Sequence, residues 1–147
     1  MTYIYPQSDE CRDRCAELGA VVEVMLQAYQ YRYFPLACLA AWVTPPVLLG
    51  QYKIYYNERG GPAGYLTWAF FSKEVEREWI GDPTFIPHLS EWNEGGSLWI
   101  TDFAAPSGFS RVMRESARDD LFRDFRAARW LRRNNDGTVR KVVKWKR

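Results

Sequence analysis

Leu98-Trp99-Ile100-Thr101-Asp102-Phe103-Ala104-Ala105-Pro106 decides how this chain is read. The run from Ser97 to Ala104 is almost wholly apolar around a single carboxylate, as expected of a strand covered on both faces near the middle of a sheet. A charged group in such a strand costs several kcal/mol unless it is paired or has a task. Burial would raise its pKa and a facing cation would lower it; the sequence leaves both open. The plainer account of Asp102 is a carboxylate satisfied by Arg32 or by a backbone turn; the alternative is catalysis.

Working outward, Pro106-Ser107-Gly108 turns the chain into a helix over 109–118. Before the strand, Gln51 to Tyr56 and Ala63 to Phe71 form a hairpin around Asn57-Glu58-Arg59-Gly60-Gly61. Ser72 caps a helix running through Ile80, and Gly81-Asp82-Pro83 stops it. Residues 83–96 look irregular except for one helical turn at His88 to Trp92. Near the start, Ser8 with Asp9 and Glu10 reads as a helix cap, and apolar spacing carries the helix over 9–29. Pro35 opens a short helix, Leu36 to Trp42, which Pro45 and Pro46 end. Residues 121–131 read mostly as strand, joined through Asn134-Asn135-Asp136-Gly137 to a last strand, Thr138 to Trp145. With no repeat and no linker, residues 1–147 form a single α+β domain with a mainly antiparallel central sheet and helices on both sides.

Apolar residues make up 47% of the chain and charged residues 26%, which excludes a disordered polymer. Aromatics reach 16%, so some line a groove or interface as well as a core. Cys11, Cys15 and Cys38 are an odd number with no visible secretory signal, pointing to free thiols in a reducing compartment. His88 is the only histidine and lies far from the cysteines, so no metal site is expected. The longest apolar stretch is too short and too broken by proline to span a membrane. Net charge is −6 over residues 1–122 and +8 over 123–147, and a basic end suits an acidic partner. Arg123, Phe125, Arg126, Arg129, Trp130, Arg132 and Arg133 interleave as a nucleic-acid site does. A strand with an aromatic core face and a wet arginine face explains them better. Neither a phosphate loop nor a Gly-x-Ser-x-Gly elbow is present.

Four collinear stretches carry a family resemblance. Tyr31-Arg32-Tyr33-Phe34-Pro35 is similar to a His-Arg-x-Trp-Pro segment, and Pro62 to Ala69 to Pro-x-x-Tyr-x-x-Trp-Ala. Trp99 to Gly108 is similar to Trp-x-x-Asp-x-x-Ala-Pro-x-Gly, and Leu121 to Arg126 to Leu-Phe-Arg-x-x-Arg. The chain thus resembles the RTX toxin-activating lysine acyltransferases, whose fold is similar to the GCN5-related acetyltransferases. The resemblance implies transfer of a fatty acyl group from acyl carrier protein to a lysine of a partner protein, by a cytoplasmic homodimer. It makes Asp102 a functional aspartate and Arg123 and Arg126 the family's late arginines. The family's histidine falls on Tyr31 and a helpful serine on Ala28.

Thioester aminolysis needs a base for the amine, donors for the oxyanion and an acid for the thiolate. Asp102 is the candidate base and Tyr31 the candidate acid or hydrogen-bond donor; the plainer role for Tyr31 is packing beside Phe34. Arg32, Arg123, Arg126 and Trp68 are the candidate donor-binding residues. Acyl carrier protein or acyl-CoA enters as co-substrate, with no bound cofactor, and the acceptor is a protein or small-molecule amine. The alternative is an inactive acyltransferase-fold protein that captures a carrier protein.

Overall fold

The computed structural model describes residues 9–106 and 108–147. Ser8, the expected cap of the first helix, and Ser107 of the turn after Asp102 lie outside them.

Helix α1, Asp9–Gln27, buries Val21, Val24 and Met25, with Ala28 buried just beyond its end. This three- and four-residue spacing lays one apolar stripe on the sheet. The helix stops two residues short of the expected end, and the next residues turn through Tyr31 N–H to Ala28 C=O at 3.0 Å. The second helix departs further from expectation. A π-helical turn, Leu39–Val43, leads directly into α2, Thr44–Leu49. Pro45 and Pro46 open this helix instead of ending the previous one. Proline fits there because first-turn N–H groups have no intrahelical acceptor to lose.

Strands β1 (Tyr52–Tyr56) and β2 (Pro62–Phe71) form the expected hairpin. Helix α3, Lys73–Gly81, starts at Ser72, whose hydroxyl accepts from Val75 N–H at 3.2 Å. A 3-10 turn, Leu89–Trp92, precedes β3, Ser97–Ala104. Then come α4 (Ser110–Ser116), a π-helical turn (Ala117–Leu121), β4 (Ala127–Arg133) and β5 (Val139–Lys146). The strand expected over 121–131 therefore begins only at Ala127. Phe122, 3% exposed, packs edge-on against Trp68 at 5.2 Å, and this anchor holds residues 122–126 in a turn rather than a ladder.

The five strands run in the order β1-β2-β3-β4-β5, antiparallel except for β3 beside β4. One sheet face carries α1, α2 and α3; the other carries α4 and the π-turn after it. The first face holds Val21, Val24, Tyr65 and Ala104 at one end and Phe71, Trp79, Trp92 and Trp99 at the other. Leu66, Trp68, Leu98, Phe122 and Ala128 fill the second face. Trp92 and Trp99 are wholly buried, and truncation of such a side chain to alanine costs about 3–5 kcal/mol. Gly95 fits where nothing larger can, because a Cβ there would lie 2.0 Å from the Phe71 carbonyl group. Among the described residues no helix is long and apolar enough to cross a membrane.

Candidate active site

Strand β3 changes face at Asp102. Trp68 pairs with Ile100 and Thr67 with Asp102, so Thr101 is an extra residue, a β-bulge. Regular alternation would have put Asp102 on the face of Leu98 and Ile100. The bulge turns it to the α1 face instead, beside Tyr65. Thr101 and Thr67 share a hydroxyl hydrogen bond of 2.8 Å across the irregularity.

There the half-buried Asp102 accepts three hydrogen bonds. Tyr65 Oη–H donates to Oδ2 at 2.6 Å, Tyr31 Oη–H donates to Oδ1, and Phe103 N–H donates to Oδ1 at 2.9 Å. Tyr31 comes from the turn after α1, and its ring meets Phe34 edge-on at 5.3 Å. Packing against Phe34 and bonding to Asp102 are thus both properties of Tyr31. Among the described residues no Lys or Arg pairs with Asp102. Arg32, considered as its partner from sequence, is exposed and does not reach it.

Burial raises the Asp102 pKa above the usual carboxylate range, outweighing the three hydrogen bonds that favour the anion. The Tyr31 and Tyr65 hydroxyls are pushed up by burial and then by the neighbouring Asp102 charge, so both stay protonated as donors. The arrangement is a basic carboxylate with fixed donors and no counter-ion among the described residues.

A groove of about 410 Å³ lies on the opposite sheet face. Ile100, Ala128, Trp130 and Trp145 form its floor, and Arg111, Arg114 and Arg118 line its helical wall. Arg111 is held by Glu115 at 2.9 Å and Arg118 by Asp119 at 2.6 Å. Arg114 has no carboxylate partner among the described residues and bonds the Ser110 carbonyl at 3.2 Å. Ile100 of the groove and Asp102 are two residues apart on β3, facing opposite sides of the sheet. The parallel ladder there has one pair, Trp99 with Arg129, leaving β3 without a ladder partner on the β4 side beyond it. Below that pair, Arg129 meets the buried Glu76 and ties β4 to α3.

The structure therefore brings Asp102 and Tyr31 together. The other sequence candidates lie apart from them. Trp68 is a core residue, 9% exposed, on the groove face. Arg123 and Arg126 are exposed in the turn before β4, Arg123 beside Asp124 at 4.0 Å. Sequence reasoning missed Tyr65, although it sits in a quoted motif three residues before Trp68. It also missed the wall arginines, whose positions 111, 114 and 118 share one helix face.

Residues 11–146 match the HlyC family, described as the RTX toxin acyltransferase family. The chain is 30% identical over 118 residues to the protein-lysine myristoyltransferase RtxC of Kingella kingae, covering 78% of this chain and 70% of that protein. An uncharacterized protein of Synechocystis is 27% identical over 121 residues, covering 82% of this chain and 81% of the other. Among solved structures, Naa20 of Chaetomium thermophilum with a bisubstrate analogue aligns at a TM-score of 0.35 and 16% identity, over 90% of this chain and 63% of that one. The match to the family spans nearly the whole chain and includes all four motifs read from the sequence: this chain belongs to the HlyC family of RTX toxin acyltransferases.

Proposed function

We propose that the protein transfers a fatty acyl group from a thioester donor to the ε-amine of a protein lysine. The observation that carries this reading is an Asp102 carboxylate held by the hydroxyls of Tyr31 and Tyr65, with no cation on it among the described residues. The family membership and the Kingella relative's name, which specifies a myristoyl group and a protein lysine, support it.

The residues divide the work as follows. A lysine reaching Asp102 gives up a proton to a carboxylate made more basic by burial. Its nitrogen attacks the thioester carbonyl, the C–N bond forms, the C–S bond breaks, and the thiolate leaves and is protonated. Tyr31 and Tyr65 hold the carboxylate in one orientation. The groove walled by Arg111, Arg114 and Arg118 suits an anionic donor, the phosphate-bearing arm of acyl carrier protein or of acyl-CoA.

A second reading, capture of a carrier protein without catalysis, is favoured by one feature. Tyr31 stands in the family's histidine position, and its proton is committed to Asp102. Incubation with acyl carrier protein or acyl-CoA thioesters and a lysine peptide separates the two. Acylated peptide and free thiol support transfer; a stoichiometric complex without either supports capture.

A further inference from the structure

The turn that carries Tyr31 is surrounded by exposed apolar side chains. Tyr29 is 75% exposed, Tyr33 77% and Leu36 81%, with Leu26 and Phe34 also open. Tyr29 and Tyr33 meet edge to face at 6.1 Å, and Phe34 touches the Tyr31 ring. Arg32 is the one charged residue between Val24 and Tyr52. A concentration of apolar surface this free of charge marks an interaction site.

Its position selects the occupant. The groove walled by arginines is on one sheet face, while Asp102, Tyr65 and the Tyr31 turn are on the other. If a donor fills the groove, the acceptor lysine must arrive from the α1 side to meet Asp102. The polypeptide flanking that lysine then crosses the Tyr29–Leu36 turn. We infer that this turn is the acceptor-docking surface, and that it recognises a lysine flanked by aliphatic or aromatic residues. Exposed Arg32 suits a carboxylate in the same acceptor segment. This inference rests on the acyltransferase reading, but docking can be measured without turnover.

The probes are two fluorescein-labelled peptides with a central lysine, one flanked by Leu and Phe and one by Gly and Ser. Anisotropy without donor gives the affinity, and acyl transfer is followed separately by mass. The wild-type protein should bind the apolar peptide about tenfold or more tightly than the polar one, since two or three apolar side chains become covered. Tyr33→Ser with Leu36→Ser should remove that preference, with circular dichroism unchanged because both residues are exposed. Equal binding of the two peptides, or a preference that survives the double substitution, overturns the inference. So does a dimer in sedimentation that the double substitution dissociates, which would make the turn a contact between copies. Binding that follows the expected pattern without acylation would support docking and count against the transfer reading alone.

Discussion

Tyr31 lies 71 positions before Asp102 in sequence and donates its hydroxyl proton to Oδ1 of that carboxylate. The two candidate catalytic side chains are therefore in hydrogen-bonding contact. The identity of the residue at position 31 sets what the pair can do. An imidazole can pass a proton near neutral pH, whereas a buried phenol keeps its own.

The tyrosine lowers the aspartate's pKa by donating to it, against the larger effect of burial. Tyr31→Phe removes that donor, so the Asp102 pKa should rise further. The acid limb of kcat/KM against pH should move to higher pH, with less transfer on the acidic side. An unmoved limb would separate Asp102 from the proton transfer.

Placing a histidine at position 31 provides the opposite test. Tyr31→His should raise the transfer rate at neutral pH by about a hundredfold, the lower end of what an acid–base group contributes. A single-turnover assay with acyl carrier protein thioester measures it. No gain would show that the tyrosine form has lost nothing at this step.

Arg114 is the wall arginine without a carboxylate partner among the described residues, so its charge is the most available to a donor. Arg114→Ala should raise the donor KM about fivefold with kcat little changed, as loss of one exposed charge-assisted contact does. The difference should shrink as salt screens the groove. A lowered kcat at unchanged KM would place Arg114 in the chemistry instead.

Burying Asp102 also costs stability. Its folded pKa is raised, so the folded state holds the proton more tightly than the unfolded chain. The associated stability is complete below the unfolded carboxylate pKa and is lost as pH rises through the folded value. Asp102→Asn cannot titrate. Thermal unfolding should therefore show wild type losing stability relative to Asp102→Asn as pH rises across that window. A constant difference would show that the carboxylate is solvated.

The hairpins, α1 and β3 were legible because each follows a local period or turn chemistry. The boundaries that moved were set by packing between distant residues. Phe122 drops into the core beside Trp68 and delays β4, and nothing within 121–131 announces that. Pro45 and Pro46 are ambiguous alone, since proline both ends one helix and starts another. Asp102 was visible as a buried carboxylate, but its direction was not. The bulge at Thr101 reverses the alternation and gives it to Tyr65 and Tyr31 rather than to the Ile100 face. Tyr65 could be assigned only once that reversal was known.

The most direct test of the carboxylate's role is the mass of a lysine peptide after incubation with an acyl thioester, using wild type and Asp102→Asn side by side. The account predicts one acyl group added to the lysine by wild type and a rate lower by about 10²–10⁴ in the variant, with the fold retained. Equal rates from the two proteins would contradict it.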